Sequence, residues 1–194
     1  MNKTRLEAFS DGVLAIIITI MVLELKVPEE GTFEALFALA PKFVSYVLSF
    51  LYIGIYWNNH HHMLHSAKHV NGKILWANLH LLFWLSLVPF TTAWMGENHF
   101  SQASIALYGL DLLLSGLAFV MLQTCIIKSQ GKDSLLKKAV GKDLKGKASA
   151  VLYSSAIVCS FFNEWISGAI YVFVALMWLI PDTRIEKVLT EKEN

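Results

Sequence analysis

Long apolar runs alternate along this chain with short polar or charged stretches. Six runs stand out, at about 6–25, 33–58, 73–94, 101–127, 148–162 and 165–180. A helix that crosses the hydrocarbon core needs roughly 20 mostly apolar residues. The pattern therefore predicts an all-α, polytopic membrane protein: six transmembrane helices in one domain over 1–194. The second run starts loosely and becomes apolar through FVSYVLSFLYIGIYW. The fifth and sixth are short. The fifth is a candidate for an earlier start, near Ser134, as a helix protruding from the membrane, and Pro181 ends the sixth.

Composition sharpens this picture. Hydrophobic residues make up 55% of the chain and charged ones 16%, with a mean hydropathy of +0.51. Soluble domains carry about 25% charged residues. The net charge of +1 is uninformative, but the placement of charge is not. Fourteen of the 16 Lys and Arg residues fall on one set of flanks, which holds both termini, Lys68, Lys73 and the lysine-rich 127–148 loop. Only Lys26 and Lys42 fall on the other. The excess marks the cytoplasmic side, so both ends are expected there, in a multi-pass protein of the cell membrane. Trp76, Trp94, Trp165 and Trp178 lie near predicted helix ends, as interfacial tryptophans do. The 127–147 loop lacks interleaved aromatics, so no nucleic-acid partner is expected; it reads as an orientation signal facing anionic lipid. Cys125 and Cys159 form no disulfide framework. With Asp11 near its start and Glu24-Leu25-Lys26 at its end, the first run is not a cleavable signal.

The first helix is unusual. Only twelve uncharged residues separate Asp11 from Glu24. At 1.5 Å per residue they span roughly 20 Å, short of a hydrocarbon core of about 30 Å. Acids so deep face a bundle interior or water, which puts this helix at the centre of an assembly. Ile16, Ile20 and Leu23 recur on one face, with Ala15, Thr19 and Val22 beside them. Periodicity alone fits a packed or lipid-facing isoleucine face. It also fits a pore lining, in which symmetry-related copies stack rings of branched apolar side chains that narrow and dewet the path.

At this point the residues carry a resemblance. Arg5-Leu-Glu-Ala-Phe9-Ser10-Asp11 reads as RxxxFSD at the start of the first membrane helix. With the following GVLAIIITIMVLELKVP it resembles the endolysosomal potassium channel family and its prokaryotic relatives. Trp57-Asn58 with His60, His61 and His62 resembles the family's Trp/His region at the end of helix two. Asn78 and Pro89-Phe90-Thr91 resemble its third helix. The resemblance implies a homotetramer of six-helix subunits with helix one lining a central pore. It implies a hydrophobic constriction in place of a carbonyl filter, falling on Ile16, Ile20 and Leu23, with Thr19 as the pore-lining polar residue. The motif residues Arg5, Phe9, Ser10 and Asp11 would hold helix one against helices two and three. K⁺ is the implied permeant ion, with Na⁺ less favoured, and no cofactor is implied. Gly12 stands where many relatives carry Ala.

Other residues stay open. Ser10 and Asp11 are either helix caps or members of a buried network. A partly buried Asp needs partners, with Arg5 the nearest basic candidate and His60–His62 and Asn78 the others. His60, His61, His62, His65 and His69 invite a zinc reading, a cytoplasmic-mouth reading and a pH-sensing one; no metal site is assigned. Asp111, midway along the fourth helix, is a candidate ion site or a structural acid. Glu24 is a candidate for concentrating cations at the outer mouth. No phosphate loop, nucleophile elbow or catalytic triad order appears, so no enzyme is expected. The leading expectation is a passive potassium-permeable channel; the alternative is a proton-coupled secondary transporter using Asp111 and Asp11.

Overall fold

The computed structural model describes residues 2–131, 134–141 and 143–179. The described residues form helices α1 (Lys3–Leu23), α2 (Phe33–Phe37), α3 (Ala40–His65), α4 (Gly72–Leu85), α5 (Val88–Glu97), α6 (Gln102–Gln130), α7 (Leu135–Val140), α8 (Leu144–Ser160) and α9 (Glu164–Leu179). Ile180, Pro181, Arg184, Lys187 and Lys192, on which the sixth span's end and part of the charge bias rest, lie outside them, as do Lys132 and Lys142.

Local chemistry sets these boundaries. The Asn2 side chain accepts from the Thr4 amide at 3.2 Å, so α1 starts nearly two turns before Phe9-Ser10-Asp11. The second predicted segment divides into α2 and α3, and Pro41 sits in the first turn of α3, where no amide donor is needed. Asn71 caps α4 through the Ile74 amide at 3.0 Å. The third segment breaks at 86–87 because Pro89 cannot donate to Leu85 and its ring crowds that carbonyl; α5 then continues to Glu97. The lysine-rich stretch does not join the fifth segment as one protruding helix. It forms α7, which ends at Gly141 (φ 57°), and α8 restarts after Asp143, whose carboxylate accepts from the Gly146 amide at 3.2 Å.

By length and composition α1, the α4–α5 rod and α6 can each cross a membrane, and α9 is a shorter apolar helix. Helix α6 is the hub, packed on α4, α5, α8 and α9, while α1 packs on α3, α4 and α5. One apolar cluster joins α1, α3, α4 and α6 through residues such as Leu14, Ile53, Leu81 and Leu122. A second joins α3, α6, α8 and α9 through Tyr52, Tyr108, Tyr153 and Tyr171. Gly109 makes the second possible: a Cβ there would overlap the Tyr171 hydroxyl, which instead donates to the Ile105 carbonyl at 3.1 Å. Ser49 ties α3 to α5 and α6 through Thr92 (2.6 Å) and Tyr108 (3.0 Å).

Candidate functional site

Helix α1 has two opposed faces. Leu6, Ser10, Leu14, Ile17 and Met21 recur at three- and four-residue steps and are buried against α3, α4 and α5. The opposite stripe is uncovered in the protomer: Phe9 is 52% exposed, Ile16 60%, Ile20 42% and Leu23 72%. Arg5 and Gly12 fall on the same stripe at helical spacing and are exposed, as is Thr19. The exposed Thr19 hydroxyl donates to the Ala15 carbonyl at 2.8 Å, and its oxygen remains able to accept.

The buried face is held by a polar clamp. Asn78 of α4 stands between the other two helices. Its amide nitrogen donates to Ser10 Oγ at 3.0 Å, and its Oδ1 meets His60 Nε2 at 2.6 Å. Ser10 in turn donates to the Leu6 carbonyl at 2.9 Å. All three side chains are buried, and Asn78 satisfies both neighbours because an amide is donor and acceptor at once. Beside them Trp57 Nε1 donates to Asp11 Oδ1 at 3.0 Å.

Ser10, Asp11, Trp57, His60 and Asn78 are thus brought together across α1, α3 and α4. Ser10 and Asp11 are well inside α1, so Asn2, and neither of them, is the cap. The partner of Asp11 is the Trp57 indole rather than the Arg5 guanidinium, and Arg5 and Phe9 lie on the open stripe. His61 makes no hydrogen bond in the clamp; its ring lies between those of Trp57, with centroids 6.5 Å apart, and His65, at 6.2 Å, and the His62 ring meets it edge-on at 5.6 Å. Among the described residues no three His, Cys, Asp or Glu side chains converge as a metal site.

Asp111 is buried on the face of α6 toward α5, away from the α1 stripe. Thr91 donates to its Oδ2 at 3.1 Å, while its Oδ1 and the Ser115 hydroxyl one turn on have no partner among the described residues. Glu24 is exposed at the end of α1. Sequence reasoning missed Thr91 as the Asp111 partner and missed the Ser49–Thr92–Tyr108 ladder. Each consists of a hydroxyl that could equally bond its own helix, so spacing carries no signal for it.

Fold and site together define a class: a multi-pass membrane protein whose described residues form an all-helical fold. Residues 5–89 match the family described as "Endosomal/lysosomal potassium channel TMEM175". A potassium channel of Chryseobacterium sp. (strain P1-3) is 55% identical over 98% of this chain and 100% of its own. The crystal structure of a lysosomal potassium-selective channel TMEM175 homolog from Chamaesiphon minutus superposes with a TM-score of 0.78 at 27% identity, covering 93% of this chain and 97% of that one. The human endosomal/lysosomal proton channel TMEM175 is 35% identical over 43% of this chain and 19% of its own length. The chain belongs to the TMEM175 channel family.

Proposed function

We propose that this chain is the subunit of a potassium-permeable cation channel, with α1 lining a central pore and apolar rings at Ile16, Ile20 and Leu23 in place of a carbonyl filter. Four copies surround the axis, each crossing the cell membrane six times with both termini in the cytoplasm. Ions pass the rings with part of their water retained, Thr19 offering a hydroxyl between layers, so K⁺ is preferred over Na⁺ only modestly. The observation that carries this reading is the bare stripe on α1. Only 28% of its most apolar window is buried in the protomer, while the opposite face is clamped by buried hydrogen bonds. Family membership and the names of the relatives supply the ion. Rings of branched apolar side chains restrict a pore by narrowing and dewetting it.

The test is K⁺ flux from liposomes holding the purified protein, paired with water-soluble thiol reagents on cysteines placed along α1. Rapid modification at positions 16, 20 and 23 with block of flux is expected. Absence of K⁺ flux, or unreactive cysteines at all three, overturns the reading. Ile16→Asn widens and wets the first ring and is expected to alter the K⁺/Na⁺ ratio. Buried Asp111, whose Oδ1 has no partner among the described residues, favours a second reading, a proton-coupled carrier; saturating flux coupled to pH and lost in Asp111→Asn distinguishes it from a channel.

A further inference from the structure

A cavity of about 70 Å³ opens between α3, α6, α8 and α9, on the side of α3 away from α1. Its floor is the Tyr52–Tyr153 contact, with ring centroids 6.4 Å apart. From that contact the cavity extends to Asn59, Gln123 and Asp143, toward the end of the bundle where α3 and α6 finish and α8 begins. The walls are apolar through Ile55, Leu113 and Leu117, and the mouth is polar through Asn59, Gln123 and Asp143. Both signs of charge stand near that mouth. Asp143 lines it, and the Lys145 ammonium, two residues on in α8, sits 5.8 Å above the Trp178 ring, itself a wall of the cavity.

We propose that this cavity takes one acyl chain of a phospholipid with a zwitterionic, phosphatidylethanolamine-type headgroup. At 10–15 Å³ per water-sized group it has room for roughly five to seven methylene-sized groups, the end of a chain and not a whole lipid. Apolar cavities stay dry and bind apolar matter, and acyl chains are the apolar matter a membrane supplies. Asp143 suits the ammonium of the headgroup and Lys145 its phosphate, so the mouth complements a zwitterion better than an anionic head.

The site has a route to the pore helix. Tyr52, Ile55, Tyr56 and Asn59 face the cavity, while Trp57 and His60, on the same two turns of α3, hold Asp11 and Asn78. A chain wedged between α3 and α8 therefore sets the position of the helix that grips α1. An effector shifts an equilibrium only by its differential affinity for the two states, so the coupling requires a chain that binds one position of α3 more tightly than another. This coupling rests on the channel reading above; the binding itself does not.

Native mass spectrometry of the full-length protein, reconstituted with phosphatidylethanolamine or phosphatidylglycerol and then extracted, tests the binding. A Cβ at Gly116 meets only the Tyr56 hydroxyl, at 3.8 Å, so Gly116→Leu fills the cavity without moving backbone; Ala150→Leu, from the α8 wall, is an independent filler should the first misfold. One phosphatidylethanolamine retained per subunit is expected, falling at least tenfold in either folded filler, and Asp143→Asn is expected to shift the preference at least threefold toward phosphatidylglycerol. Equal retention in wild type and fillers overturns the site, as does wild type that retains no lipid, or a filler that changes subunit number instead of lipid number. K⁺ flux from phosphatidylethanolamine vesicles is expected to change at least twofold in the fillers. Unchanged flux with lipid lost overturns the coupling to α1, whereas bound lipid in a wild type that passes no K⁺ overturns the channel reading and leaves the site.

Discussion

Helices α1 and α6 are equally apolar, yet half of the most apolar window of α6 is buried in the protomer against 28% for α1. Helix α6 is packed on α4, α5, α7, α8 and α9 and carries the features of a core element: Gly109 where Tyr171 must approach, and buried Ser104, Asp111 and Ser115. Helix α1 is gripped on one side only. Its far stripe keeps Ile16 and Leu23 bare at the level where an ordinary core helix would be covered. The contrast teaches that hydropathy does not separate a helix packed on one side from a core helix. What separates them is a polar clamp on one face combined with an uncovered apolar stripe on the other.

The largest expected effect lies on α6. Gly109→Leu forces its side chain into the Tyr171 hydroxyl, and overpacking of this kind costs about 3 kcal/mol; loss of a monodisperse species in detergent, or a steep fall in Tm, is expected. Next comes a paired truncation. Leu112 on α6 is fully buried, so Leu112→Ala is expected to destabilise by about 2–4 kcal/mol. Ile16→Ala on α1 removes an uncovered side chain and is expected to stay within about 0.5 kcal/mol, while changing single-channel conductance several-fold. Equal stability losses at the two positions would erase the contrast.

The clamp comes third. Asn78→Ala strands both His60 and Ser10, and hydrogen bonds inside membranes contribute about 0.6 kcal/mol on average and up to about 1.7. A loss of about 1–2 kcal/mol is expected, together with altered flux, because α1 loses its fixed rotation. Asp11→Asn keeps an acceptor for the Trp57 indole and is expected to be milder than Asp11→Ala in both thermal stability and flux. A clamp variant that leaves flux unchanged would separate the hold on α1 from conduction.

Much of this arrangement was legible in the chain. The six apolar segments correspond to α1, α2–α3, α4–α5, α6, α8 and α9, because a run of that length and apolarity has few other structures open to it. The two breaks were less legible. Proline at 89 marks a boundary without saying whether the rod continues beyond it, and Asp143 caps α8 from a left-handed conformation (φ 46°) that composition does not announce. Within the site, the motif and its helix-two and helix-three partners pointed to one network, and Ser10, Asp11, Trp57, His60 and Asn78 do meet. The pairing inside it was not legible. Charge arithmetic favours Arg5 for Asp11, but Arg5 falls on the stripe side of α1 and an indole from α3 reaches Asp11 instead. The same limit hid the α3–α8 cavity, whose polar mouth comes from Asn59, Gln123 and Asp143, residues far apart in the chain.

The smallest expected effect is also the most selective. Thr19 lies between Ile16 and Ile20 on the bare stripe, and its proton is already committed to the Ala15 carbonyl. Thr19→Val keeps the branched shape, removes the hydroxyl with its bond to the Ala15 carbonyl within the same helix, and is expected to change Tm by no more than about a degree. If cations pass this stripe partly hydrated, the lone pairs of that hydroxyl are one of the few acceptors available to them between two apolar rings. Conductance for K⁺ is then expected to fall about twofold in Thr19→Val, at a cost below about 1 kcal/mol in the barrier, and to return in Thr19→Ser. A valine variant that conducts like wild type would mean that ions do not meet this side chain, and the stripe would then be a surface for other helices rather than for water.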